Sequence, residues 1–290
     1  MKFLFLLLFL YGLLFAEKDF DIENIKSDKS KISMQEWFDD KFTLKPYRVN
    51  YLLPYGYADK AYSANVPNTV EYKNIEAEIQ VSLKLKIAQD LFGFNERYYV
   101  SYTHQAFWQI YIESAPFREN LYNPEGFVVF PVNDNDSSFN LRSVKFAIAH
   151  KSNGQPDTSD VTFSANQTIG NLSRSVNYIY STFRFQHETL ISDLTLWIPF
   201  PEDEETSDNY DLMDYTGYTS LKFTYFLNEH MFTLMGRGNP STLKGAMEAT
   251  YSYPLIHNNL FIKVFSGYGE SLIDYNNYIT KFSIGFSFSR

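Results

Sequence analysis

A histidine and a serine stand two residues apart at His150 and Ser152, and an asparagine follows at Asn177. These three side chains are the parts of a nucleophile–base–orienter triad. An imidazole takes the proton of a hydroxyl, and an amide oxygen holds the imidazole in one tautomer. They work together only if the intervening chain turns back and lays Asn177 beside His150. That requires two antiparallel strands joined by a loop, with all three side chains on one face.

The hydrophobic pattern supplies such strands. From Ile75 to Ile87, Ile75, Ala77, Ile79, Val81, Leu83, Leu85 and Ile87 alternate with Glu76, Glu78, Gln80, Ser82, Lys84 and Lys86. A strand in a soluble sheet runs to about five or six residues, whereas a tilted membrane strand needs about 9–11. The run is therefore read as membrane-spanning, and against a soluble β-sandwich hydrolase. Similar runs predict twelve strands, near 49–57, 74–88, 96–112, 121–133, 139–152, 174–186, 188–199, 213–227, 229–238, 243–254, 257–268 and 277–289. The expected fold is all-β, a transmembrane antiparallel up-and-down barrel. An even strand number returns both termini to one side. Short connections at Asp134–Ser138, around His187, around Asn228 and at Pro254–Leu255 are expected on the periplasmic side. Longer ones at 113–120, 153–173, 200–212 and 269–276 are expected outside.

Strand parity then places the triad. In 139–152, Val144, Phe146 and Ile148 share the lipid-facing parity, which Arg142, His150 and Ser152 continue. In 174–186, Ile179, Phe183 and Phe185 share it with Asn177, while Tyr178, Tyr180, Thr182, Arg184 and Gln186 face the lumen. His150, Ser152 and Asn177 are thus expected on the outer wall, at the extracellular end of adjacent strands. Polar groups facing hydrocarbon are costly and tend to be functional. Near the headgroups that cost fades, so a merely structural reading of the three stays open. His104 beside Trp108 reads as barrel wall or girdle. His187, His230 and His257 lie in turns without ligand spacing, and Glu202–Glu205 reads as a solvated loop.

Composition agrees with a barrel and closes off other classes. The 290 residues carry 25 basic and 34 acidic side chains, for a formal net charge of −9, which argues against nucleic-acid binding. There is no cysteine, so disulfides and thiolate chemistry are excluded. Mean hydropathy is −0.30, yet 44% of residues are hydrophobic and 18% aromatic, with 23 Tyr and 27 Phe. Residues 1–16 read as a secretory signal: Lys2, an apolar stretch from Phe3 to Phe15, then Ala16. Residues 17–48 form a polar lead-in that is poorly ordered or briefly helical, and 49–290 form the barrel. Gly-x-Ser-x-Gly, a phosphate loop and His-Glu-x-x-His are all missing.

Four separated motifs add a resemblance. Phe42-Thr-Leu-Lys-Pro-Tyr47 with Asn50-Tyr-Leu52, Ser114-Ala-Pro-Phe-Arg-Glu-Asn120 with Tyr122, His150-Lys-Ser-Asn-Gly154 with Ser173-Arg-Ser-Val-Asn177, and Tyr268-Gly-Glu-Ser-Leu-Ile-Asp-Tyr-Asn276 occur in that order. Together they resemble outer membrane phospholipase A, a calcium-dependent lipase family of Gram-negative outer membranes, over roughly residues 42–290. The resemblance implies a triad of His150, Ser152 and Asn177. It also implies Ca2+ held by Ser173, the backbone carbonyl of Gln155 and, from a partner subunit, Ser114. The family carries Arg where Gln155 stands and Gln near the position of His104, and the loop between Gln155 and Ser173 is longer here. The expected activity is hydrolysis of phospholipid acyl esters in the outer leaflet by a homodimer. The competing reading is a non-catalytic barrel, a small porin or a structural or adhesive protein. It would have no reason to carry His, Ser and Asn on its lipid face.

Overall fold

A computed structural model describes residues 27–38, 44–62, 71–132, 140–155, 172–200, 207 and 209–290. The expected signal, most of the lead-in, the Asp134–Ser138 turn, Glu202–Glu205 and the middle of the 153–173 loop lie outside them. Helix α1 (Asp28–Phe38) and a short strand β1 (Leu44–Pro46) precede the barrel. The barrel strands are β2 (Tyr51–Ala58), β3 (Ile75–Gln89), β4 (Arg97–Trp108), β5 (Phe117–Pro131), β6 (Leu141–Ser152) and β7 (Ser175–His187). They continue as β8 (Leu190–Pro199), β9 (Thr219–Leu227), β10 (His230–Asn239), β11 (Lys244–Pro254), β12 (Asn259–Gly267) and β13 (Ile279–Ser287). Each is antiparallel to its neighbours in sequence. β13 pairs back onto β2, so the twelve strands close into a cylinder and leave no open edge.

The alternation sorts the two faces as expected. Val81, Leu83, Leu85 and Ile87 of β3 are exposed on the outside, while Glu76, Glu78 and Ser82 are fully buried inside. The connections β7–β8 and β9–β10 are tight, with Glu188 and Asn228 in left-handed conformations. They mark a short-turn end. The longer connections, after β6, β8 and β12, gather at the other end.

Two expectations need correction. Residues 213–218 do not extend a strand; Leu212–Thr216 forms helix α2. Leu212 and Thr216 sit one helical turn apart and are both buried, Leu212 against Phe107, Leu121, Leu272 and Tyr275. The same five residues fit period 2 or period 3.6, and packing beneath the 269–276 loop decides for the helix. Arg142 does not keep the outer parity. A register shift between Leu141 and Ser143 in the β6–β7 ladder flips the strand start, and Arg142 lines the lumen.

Several charged groups inside the lumen form paired clusters. Glu76 accepts from Arg118 Nε and Nη2 at 2.9 and 3.0 Å and from Lys281 at 2.9 Å. Glu78 accepts from Lys263 at 2.5 Å and Gln105 at 2.8 Å, and also from Tyr51. Arg118 reaches on to Asp274 at 2.6 Å, and Glu119 accepts from the backbone N–H groups of Leu272 and Ile273. This lattice ties the β3, β4, β5, β12 and β13 walls to the 269–276 loop. At the short-turn end Met34 of α1 packs with Ile191, Phe226 and Met231, and the Asn228 N–H donates to Ser30 Oγ at 2.8 Å.

Candidate active site

β6 and β7 pair directly, with His150 opposite Asn177 and Ser152 opposite Ser175. Lys151, Val176 and Tyr178 line the interior cavity. Successive side chains on a strand point to opposite faces, so His150, Ser152 and Asn177 point outward. His150 Nδ1 and Asn177 Oδ1 are 2.9 Å apart. An amide oxygen only accepts, so Nδ1 carries the proton and Nε2 keeps a free lone pair. That tautomer is the one a general base needs. Ser152 lies two residues along the same face. Among the described residues no hydrogen bond joins Ser152 to His150, and such contacts are often long before substrate binds.

The backbone around the three groups is braced by residues of other elements. Asn123 Nδ2 donates to the His150 carbonyl at 2.8 Å, and Arg48 holds Asn123 at 3.0 Å. The Phe200 N–H donates to the Asn177 carbonyl at 2.8 Å. Asn209 accepts from the Ser175 N–H and donates to its carbonyl, both at 2.9 Å. None of these bracing residues was singled out by sequence reasoning. They sit at distant positions, and only the closed register brings them to β6 and β7.

The turn after Ser152 has its own clamp. Buried Asn153 donates to the Leu172 carbonyl at 2.7 Å and accepts from the Arg174 N–H at 3.0 Å and the Gln155 N–H at 3.3 Å. It pins the two limbs of the loop together, so Gln155 and Ser173, expected as a carbonyl and a hydroxyl ligand, lie on facing limbs. Gly154 has φ +63°, and a Cβ there would meet Tyr122 at 2.7 Å, so this turn requires glycine. Ser114 lies elsewhere, exposed in the β4–β5 turn with φ +62°. Among the described residues no group of three or more His, Cys, Asp or Glu side chains converges. Oxygen ligands from hydroxyls and carbonyls suit a hard cation such as calcium.

The outer wall beside the triad carries a second polar pair. Tyr122 lies opposite Ser152, His104 stacks on Tyr122 at 5.2 Å, and His104 Nε2 meets Asn120 Oδ1 at 3.1 Å. His104 is thus barrel wall, as expected, with its Nε2 bonded to Asn120.

The family model for phospholipase A1 matches residues 28–288. The chain belongs to the phospholipase A1 family. It is 33% identical over 259 residues to the phospholipase A1 of Proteus vulgaris, covering 87% of this chain and 84% of that protein. It is 31% identical to the solved outer membrane phospholipase A of Escherichia coli, covering 86% of this chain and 99% of that one, with a TM-score of 0.74. It is also similar to the outer membrane phospholipase of Salmonella typhi, solved as a dimer with bound calcium. There the identity is 30%, the coverage 91% and 99%, and the TM-score 0.75. A closed β-barrel with these relatives is an enzyme of the bacterial outer membrane. The non-catalytic alternative falls with this kinship.

Proposed function

We propose that this chain hydrolyses the acyl esters of phospholipids with a His150–Ser152–Asn177 triad set on its outer wall. The observation that carries the reading is the 2.9 Å contact of His150 Nδ1 with Asn177 Oδ1, on the same outward face as Ser152. One solved form of the E. coli enzyme is described as an asparagine-to-alanine active-site mutant, which supports the role given to Asn177.

His150 Nε2 takes the Ser152 proton, and Ser152 Oγ attacks the ester carbonyl. The tetrahedral oxyanion forms beside the Ser152 backbone N–H. Collapse leaves an acyl-serine, and His150 returns its proton to the departing lysolipid oxygen. Water, deprotonated by His150, then releases the fatty acid. Asn177 keeps the imidazole in register without placing a carboxylate against hydrocarbon, where its desolvation would be costly. Unlike an Asp, it adds no charge to stabilise the imidazolium.

The loop clamped by Asn153 suits a calcium ion, held by the Ser173 hydroxyl and the Gln155 carbonyl. When bound, calcium supplies positive charge that favours the oxyanion. A lone outer wall offers half a cleft. We assign the active form to a homodimer in which Ser114 of the partner subunit completes the ligand set. The calcium-bound Salmonella typhi dimer supports a calcium ion and a dimeric form. In the membrane, the long loops face outward and the short turns face the periplasm, with residues 1–16 acting as the export signal and 17–48 as the lead-in.

The test is fatty-acid release from phosphatidylcholine by refolded protein in detergent. Hydrolysis is expected with calcium and is expected to disappear with EDTA. Crosslinking should show dimer only with calcium. Calcium-independent release, or full turnover by a strictly monomeric sample, would remove the cation or the dimer from the mechanism.

A further inference from the structure

β5 carries a proline, Pro124, in its interior. Proline has no N–H to give a ladder and is confined to edge strands or bulges, yet β5 is paired on both sides, by β4 and by β6. Its position decides what is lost. β5 and β6 pair at Tyr122–Ser152 and resume at Glu125–Ala149, so the ladder is interrupted where Pro124 stands opposite His150. In an antiparallel ladder every second pair exchanges main-chain bonds. The Val132 N–H donates to the Arg142 carbonyl at 2.8 Å. Counting back by twos through Phe130, Val128 and Gly126, the next N–H due to β6 is that of residue 124, and its acceptor is the His150 carbonyl.

The other side of β6 does not make up the loss. The Asn153 N–H donates to the Arg174 carbonyl at 3.0 Å, so the alternation bonds Lys151 and Ala149 to β7 and turns the main chain of His150 toward β5. His150 and Asn177 are then a pair of the other kind, whose side chains approach more closely, as their 2.9 Å contact requires. The donor that Pro124 lacks comes from its neighbour. Buried Asn123, which lines the interior cavity, donates from Nδ2 to the His150 carbonyl at 2.8 Å, with the Tyr178 hydroxyl at 3.4 Å. Its Oδ1 accepts from Arg48 Nη2 at 3.0 Å. A guanidinium only donates, so Arg48 selects the oxygen end of the amide and leaves the NH2 end for His150. Arg48 is itself held by Glu125, and its N–H donates to Ser82 Oγ at 3.1 Å.

We propose that Asn123, oriented by Arg48, is a positioning residue for the hydrolysis: it stands in for the strand donor missing at Pro124 and fixes the His150 main chain so that the imidazole meets Asn177. The role rests on the His150–Ser152–Asn177 reading above. Asn123 acts from inside the barrel through the His150 backbone, and it touches neither the outer face nor the substrate.

The test is a double-mutant cycle on refolded full-length protein, with fatty-acid release from phosphatidylcholine in detergent and calcium as the readout. Asn123→Ala should lower kcat about tenfold, the upper scale of one hydrogen bond, with KM little changed. Asn123→Asp keeps an acceptor for Arg48 but has no donor for His150 and should lose as much. Arg48→Ala frees the amide to turn and should lose about threefold. The decisive step restores the backbone donor. In a chain carrying Pro124→Ala, adding Asn123→Ala should cost less than about twofold, because residue 124 now has an N–H for the His150 carbonyl. A merely structural asparagine would cost the same in both backgrounds. Heat-modifiable migration on gels reports folding, and Asn123→Asp with and without Pro124→Ala carries the cycle if Asn123→Ala does not fold. Ser152→Ala is measured alongside. If it stays active, the triad falls and this role with it. If it is inactive while Asn123→Ala and Asn123→Asp turn over normally, or lose equally with Pro124 and with alanine at 124, the positioning role alone is overturned.

Discussion

The outer wall of β4 to β7 and the lumen wall of β3, β12 and β13 handle buried polarity in opposite ways. On the outer wall polar side chains are few, neutral and bonded in pairs: His150 with Asn177, His104 with Asn120. In the lumen they are charged and branched, so that Lys281 alone touches Glu76, Glu78 and Glu270. A hydrocarbon neighbour cannot answer a charge, so a site exposed to lipid is built from amides, imidazoles and hydroxyls. The lumen excludes lipid and can surround each carboxylate with donors, so it tolerates ions. One strand serves both regimes: β6 sends His150 and Ser152 outward and Lys145 and Lys151 inward.

The contrast can be broken by experiment, starting from its largest effect. Ser152→Ala should lower fatty-acid release by at least about 10⁴-fold, the scale of removing a triad nucleophile, with gel migration of the folded barrel unchanged. Near-normal release would take the chemistry off the outer wall. Glu76→Ala removes the buried carboxylate that Arg118 and Lys281 share, leaving Arg118 only Asp274 and Lys281 only Glu78 and Glu270, and should cost about 3–5 kcal/mol in denaturant unfolding. A cost below 1 kcal/mol would mean the lattice is not structural. Asn177→Ala removes orientation but no charge, so hydrolysis should fall only about 10–100-fold, a loss of about 1.4–2.7 kcal/mol of transition-state stabilisation. Substrate affinity should barely change, and a loss as deep as that of Ser152→Ala would show that the amide does more than orient. Gly154→Ala should cost about 1–3 kcal/mol through backbone strain, lowering activity together with calcium affinity as the Asn153 clamp loosens. The smallest effect belongs to His104→Gln, which keeps a partner for Asn120 and should move stability by less than about 0.5 kcal/mol. A large loss there would give the second polar pair a role of its own.

Much of the site was legible because a barrel strand converts parity into geography. The position of Val144, Phe146 and Ile148 tells which way His150 faces, and the length of the 75–87 alternation tells that the outside is lipid. Parity failed where the ladder slips, at Arg142, and where five residues fit two periods, at Leu212–Thr216. The bracing amides Asn123 and Asn209 were invisible, and Asn153 appeared only as part of a motif, because an asparagine in a strand or loop looks like any other. Their meaning lies in carbonyls and N–H groups brought near by the fold.

Local chemistry, then, was determined residue by residue along the chain: an alternating amphipathic strand, a face, a histidine and serine spaced by two. The circumference was not. Glu76 meets Arg118 and Lys281, 42 and 205 residues away, only because β13 closes onto β2 and fixes the register of every strand between. Period 2 states that a side chain points inward, but which charge faces it across the lumen is settled by closure, and closure exists only in three dimensions.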